Sequence, residues 1–251
     1  MGEGNDQTLP YNAVEPHILA IDDCEDKDAL WDLFCGVMQD DYGAELISYH
    51  HIPSPLAPDR LGLKVMAVGH DPAWVNMYRE RELFRIDPIA QAANHMLLPF
   101  YWSSIEDRIK LTQEQKDFLV LLRQWLKGDG LAIPAFGPSG RNGYFGIGCR
   151  EAVPDWSRPD AARIYWAAQA FHTRYCILHM AGLDMDFTLT SRQTQILQHL
   201  ARGLDTQTIA VLLGSQTDTV DNTIRRILKK MGVTDTGSAI LRAVSCGLIE
   251  P

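Results

Sequence analysis

The chain has no apolar run approaching the roughly 18 residues needed to cross a bilayer, and its start, MGEGNDQTLP, lacks the basic and apolar regions of a secretory signal. A cytoplasmic protein with no membrane partner is therefore expected. Cysteine is scarce: Cys24, Cys35, Cys149, Cys176 and Cys246 are odd in number and widely scattered, form no CxxC, and show no metal-ligand spacing to histidine. Reduced, mostly buried thiols and no metal site are the expectation. Positive charge is in deficit, with 23 lysines and arginines against 32 acids and a net charge of −9, which as an average argues against binding nucleic acid. There is no glycine-rich phosphate loop, no strand-to-helix nucleophile elbow, and no cluster of carboxylates or histidines at ligand spacing. Neither catalysis nor a cofactor is expected.

What is present is an ordinary globular composition, 46% hydrophobic and 22% charged over 251 residues, enough for one large core or two smaller ones. The charge is unevenly placed. From residue 189 onward seven basic and five acidic side chains give +2, which leaves −11 on residues 1–188.

The first 25 or so residues are polar and poor in pattern. Leu30, Leu33, Phe34, Val37 and Met38 then recur at helical spacing, predicting a helix over 27–41. ELISYHHI and LGLKVMAVG read as strands joined by the proline-laden IPSPLAPDR, and Asp71-Pro72 as the start of a helix. LPFYWSS reads as a strand, Thr112 to Gly128 as a helix with Phe118, Leu122, Trp125 and Leu126 on one face, and LAIPAF and YFGIGCR as a strand pair around the turn GPSGRNG. A long helix is expected from about Arg158 to Ala181. Without βαβ alternation, this order fits an α+β fold, an α-β-α sandwich around an antiparallel sheet, over residues 1–180. AGLDMDFT, residues 181–188, is the expected linker.

Residues 189–251 hold only helical patterns, with stops at Gly203, Gly214, Gly232 and Gly247, which predicts a small all-α four-helix domain. In TQTIAVLLGSQTDTVDNTIRRILKKMG a short helix, a glycine turn and a second helix starting near Asp218 follow helix-turn-helix grammar. In that second helix Val220, Ile224, Ile227 and Met231 share one face. Thr219, Asp221, Asn222, Arg225, Arg226 and Lys229 are the candidates for the opposite, DNA-facing side. The bland alternative is a solvated basic face that favours the helix C-terminus.

The run from Leu189 to Ile249 resembles the C-terminal DNA-binding domain of LuxR-type transcription regulators. The matching pieces are Leu189, Thr190, Arg192, Ile196-Leu197, Gly203, Ile209-Ala210, Leu213, Thr219-Val220, the lysine-rich helix end, Val233, Ala239 and Gly247-Leu248-Ile249. Departures stand at Gln193 and Thr208, where the family carries Glu, at Asp221, where Lys is common, and at Asp235-Thr236 in place of Asn-Arg. These are expected to fall where DNA is met and to weaken its binding.

Upstream, residues 74–134 resemble the autoinducer-binding domain of quorum-sensing LuxR-type regulators. The shared set is Trp74, Tyr78 four residues on, Asp87-Pro88 nine further, Trp102, and Gly130 before Leu-Ala-Ile-Pro. The resemblance implies an N-acyl-homoserine lactone as ligand, operator DNA as partner, homodimers, and contact with RNA polymerase. Such a ligand offers one amide N–H, carbonyl acceptors and an apolar tail, so its receptor needs a fixed acceptor, a few donors and an apolar cavity. Asp87 would accept from the amide, Trp74 and Tyr78 would donate to the lactone and acyl carbonyls, and Trp102 would wall the head group; Ile89 is counted with them. Read singly, Asp87 is a helix cap and the three aromatics are core. His70, where a tyrosine is common, is a further candidate. Gly146, where relatives carry Ser or Thr, implies with Gly148 a roomier pocket with one donor fewer, suited to a long or bulky acyl group. Two rival readings are an antiactivator that scarcely touches DNA, and a DNA-binding protein that no longer senses lactone.

Overall fold

The computed structural model describes residues 15–52, 64–137, 141–181 and 188–249. They form two compact units, one within residues up to 180 and one comprising the C-terminal helices. The expected linker lies, apart from its ends, outside the described residues, as do the IPSPLAPDR loop and the middle of GPSGRNG.

The first unit begins with helices α1 (Glu15–Asp23) and α2 (Lys27–Tyr42). The first of these was not expected; EPHILAIDD shows little periodicity because Ile21 is its one fully buried residue. Helix α2 starts where the Asp26 carboxylate accepts from the backbone N–H of Asp28 and Ala29, and stops at Gly43, whose φ of 63° suits glycine. Strands β1 (Leu46–Ile52) and β2 (Lys64–Val68) follow, then α3 (Pro72–Glu80), a tight 3₁₀ turn at 83–85, and α4 (Pro88–Ala93). Strand β3 is only Phe100–Tyr101, because Trp102–Ser104 turn into a 3₁₀ segment leading to α5 (Ile105–Arg108). Helix α6 (Gln113–Trp125) opens with a capping box between Thr112 and Gln115. Strands β4 (Gly130–Ala135) and β5 (Asn142–Gly148) and the long α7 (Arg158–Ala181) complete the unit.

The five strands make one antiparallel sheet in the order β2-β1-β5-β4-β3. Side chains alternate across it. Ile47, Tyr49, Leu131, Ile133, Phe145 and Ile147 enter a core shared with Phe34, Met38, Ile164, Phe171 and Tyr175 from α2 and α7. Ala132 and Tyr144 belong to a second core with Trp74, Tyr78, Ile89, Trp102, Ile105 and Phe118 from the helices of the other layer. This is the expected α-β-α sandwich.

The second unit comprises α8 (Ser191–Ala201), α9 (Thr206–Leu212), α10 (Thr217–Met231) and α11 (Thr236–Ser245). Its core joins Ile196, Leu197, Ile209, Val220, Ile224, Ile227, Met231 and Ala239. Gly203, Gly214, Gly232 and Gly247 all have positive φ, so the stops in the sequence are left-handed turns that glycine adopts without strain. Cys35 and Cys176 are buried and the other three cysteines half-buried.

Candidate functional site

In the second core a cavity of about 350 Å³ opens against the sheet. Six of the residues singled out in the sequence line it: His70, Trp74, Tyr78, Asp87, Ile89 and Trp102. Ser48, His50, Val65 and Ala67 from β1 and β2, Phe118, Leu122 and Leu126 from and just beyond α6, and Tyr144 from β5 complete the wall, and exposed Arg79 and Glu82 stand at the rim. Trp74 and Tyr78 reach it together because they lie one turn apart on α3; their rings are 5.7 Å apart by centroid.

Asp87 does two things at once. Its Oδ1 accepts from the backbone N–H of Ile89 (2.8 Å) and Ala90 (3.3 Å), capping α4, and its Oδ2 accepts from the Tyr78 hydroxyl at 2.8 Å. Burial raises the carboxyl pKa, and the bonds from Tyr78, Ile89 and Ala90 oppose that rise. The Tyr78 phenol is pushed well up by burial and then by the Asp87 charge. Tyr144 is likewise raised by burial and by Asp87, with the Trp102 indole acting against it. The Trp102 N–H approaches the Tyr144 hydroxyl without completing a hydrogen bond, and is a buried donor with no acceptor.

Sequence reasoning passed over His50, Ser48 and Tyr144. Alternation on β1 and β5 was the available signal: His50 and Tyr144 are directly paired across these strands, with ring centroids 5.0 Å apart. His50 is neutral, its pKa pushed down to about 3 by burial and then by neighbouring His70. His70 falls to about 4 through burial and the nearby Arg150, and its buried Nε2 has no hydrogen-bond partner.

Gly146 is not among the residues that line the cavity, but three that are surround it. A Cβ there would sit 2.8 Å from Ser48 Oγ, 3.0 Å from the Tyr144 hydroxyl and 3.3 Å from the Trp102 ring. At Gly130 and Gly148 it would meet the same indole at 2.6 and 2.7 Å. These glycines, with Gly130 paired to Gly148 across β4 and β5, form a flat seat for Trp102. The space they release is taken by the tryptophan, and the hydroxyls of Ser48 and Tyr144 stand close by.

In the second unit, Gln216 to Met231 presents Thr219, Asn222, Arg225, Arg226 and Lys229 to solvent, with Asp221 half-buried, while Val220, Ile224, Ile227 and Met231 are buried. Arg192 donates to the Leu213 carbonyl at the end of α9, and Arg242 to the Met231 carbonyl at the end of α10, so both fasten helix C-termini. Two of the sequence departures have structural roles. Gln193 forms a capping box with Thr190, which Gln fills as well as Glu. Asp235 caps α11 through the Ser238 N–H (2.8 Å) and hydroxyl (2.6 Å).

An apolar cavity with a polar end in one unit and a helix-turn-helix with a basic outer face in the other define a ligand-regulated transcription factor. Residues 26–175 match the family model for the autoinducer binding domain, and residues 187–243 that for bacterial regulatory proteins of the luxR family. The chain belongs to the LuxR family of quorum-sensing transcription regulators. It is 27% identical to the transcriptional activator protein AhyR of Aeromonas hydrophila over 184 residues, 71% of each chain. It is 26% identical to the activator AnoR of Acinetobacter nosocomialis over 189 residues, 74% of this chain and 78% of that one. Its fold is that of the crystal structure of Escherichia coli SdiA, with a TM-score of 0.72 over 96% of this chain and 99% of that one at 16% identity. SdiA in complex with octanoyl-rac-glycerol gives 0.70 over 98% and 97% at 15% identity. AhyR and AnoR are transcriptional activators, and among the described residues no helix is long and apolar enough to cross a membrane.

Proposed function

We propose that the chain binds an N-acyl-homoserine lactone in the cavity of its first unit and operator DNA, as a homodimer, through α10 of its second. The observation that carries this is the buried Asp87 carboxylate, held by α4 and Tyr78 at the polar end of an otherwise apolar cavity. A carboxylate has acceptor sites beyond those used here, so the ligand amide N–H can be added to it. The Tyr78 hydroxyl is then released to donate to the acyl carbonyl, and the Trp74 indole donates to the lactone carbonyl. The tail runs along Phe118, Leu122 and Leu126. At about 350 Å³ the cavity falls within the roughly 300–1,000 Å³ usual for small-molecule sites.

Homodimerisation follows from the reach of one recognition helix, too short to read a full operator. The test is a thermal-shift series with acyl-homoserine lactones of increasing chain length and a monoacylglycerol, which lacks the amide N–H. The best-binding lactone at about 100 times its Kd should stabilise the protein by about 2.7 kcal/mol and promote sequence-specific DNA binding. Equal stabilisation by the acylglycerol would remove Asp87 from its proposed role.

A further inference from the structure

On the face of the sheet away from the cavity, β1 and α7 bring together His51, His172 and Cys176. All three are fully buried, and one ligand atom from each lies within 4.8 Å of the others. His172 and Cys176 stand one turn apart on α7, with His172 Nε2 3.6 Å from Cys176 Sγ, while His51 comes from β1. Sequence spacing did not single out this set, because its third member arrives only through the pairing of helix and strand. Phe171, Tyr175 and Phe145 lie in the core on the same face of the sheet.

We propose that His51, His172 and Cys176 form a binding site for a zinc-class divalent transition metal, which ties β1 to α7. Two imidazoles and a thiolate are the borderline-to-soft donor set such ions select over magnesium or calcium. In tetrahedral zinc sites bonds of about 2.0–2.3 Å place donor atoms roughly 3.3–3.8 Å apart, so about 1 Å of side-chain movement closes the present set. The outer partner is already in place. The Tyr49 hydroxyl lies 2.8 Å from His172 Nδ1, where it accepts that N–H when Nε2 turns its lone pair to the metal. His179, further along the same helix and 5.4 Å from His51 between ring centroids, is a candidate fourth donor. On binding, the Cys176 thiol loses its proton to solvent and becomes the thiolate ligand, while each imidazole ligates through a ring nitrogen that carries no proton. The balance is one proton released per ion. Because His50, the next residue on β1, faces the cavity, a metal behind the strand also fixes one wall of that cavity.

Cobalt(II) titration of the reduced, full-length protein tests this. One equivalent should bind, with a thiolate-to-cobalt charge-transfer band and ligand-field bands of tetrahedral type. The charge-transfer band should vanish in Cys176→Ser and persist in Cys35→Ser, whose thiol is buried elsewhere in the same core. Should Cys176→Ser fail to fold, the wild-type protein still decides the matter: zinc added in weak buffer near neutral pH should release about one proton per ion bound. A wild-type protein showing no charge-transfer band and no proton release, or an unchanged band in Cys176→Ser, would overturn the proposal.

Discussion

At the scale of single residues, the cavity is built from groups whose charge states burial has shifted. His50 and His70 are held neutral, with pKa values near 3 and 4, whereas the unfolded chain protonates both near the ordinary 6.5. Their contribution to stability is therefore complete above about pH 6.5 and is lost as pH falls toward 4. For His50 alone the loss reaches about 2 kcal/mol at pH 5. Asp87 acts in the opposite sense: its raised pKa costs stability near neutral pH, and that cost is relieved as pH falls through its folded value. Thermal melts between about pH 7.5 and 5 should show a steep acid limb, flattened in His50→Gln. An equally steep limb in the variant would remove His50 from this role. A second expectation concerns the seat of Trp102. In Gly148→Ala the new Cβ meets backbone at 2.6 Å and the indole at 2.7 Å, so destabilisation by about 1–3 kcal/mol and displacement of Trp102 should follow, visible in its near-ultraviolet circular dichroism. Resemblance to the autoinducer-binding family pointed to Trp74, Tyr78 and Asp87, which meet at the cavity, whereas the crowding of Gly146 by Ser48, Tyr144 and Trp102 was not legible. A missing side chain reads as empty space until the neighbour that fills it is known.

At the scale of elements, the helix start at Asp71-Pro72 was legible because caps are local, and other helices open in the same way although their caps were not singled out in the sequence. Asp26, Asp71, Thr112, Thr190, Asp205 and Asp235 each accept from the first turn of the helix they precede. Strand β3 was less so, since its expected second half is pulled into a 3₁₀ turn that delivers Trp102 to the sheet. The fastening of helix ends by Arg192 and Arg242 could not be read from sequence either, as each partner lies on another helix. The exposed cations of α10 are Arg225, Arg226, Lys229 and Lys230. For the proposed DNA complex, Arg225→Ala and Lys229→Ala should each lower the slope of log K against log salt by about 1, if they contact phosphate. Asn222, which accepts from Arg225 at 3.4 Å, should instead alter sequence preference when changed to Ala. Fluorescence anisotropy across a salt series separates the two, and a slope unchanged in both cation variants would place DNA elsewhere on the unit.

At the scale of the whole molecule, the two units divide sensing from DNA recognition. On the proposed function, ligand burial within the second core of the first unit would add stability by mass action, and through the folded, dimeric population it would set DNA occupancy. All of this rests on one contact: a ligand N–H on the Asp87 carboxylate. Calorimetric titration of the wild-type and Asp87→Asn proteins with the best-binding lactone tests it most directly. Asparagine keeps the Oδ1 that caps α4, and Asn is as good an N-cap as Asp, so the melting temperature without ligand should change little. Where the carboxylate oxygen faced the amide, an NH₂ now opposes it, and lactone affinity should drop by roughly 10–100-fold, about 1.4–2.7 kcal/mol. The same lactone affinity in both proteins, or a loss of affinity matched by a loss of fold, would contradict the assignment.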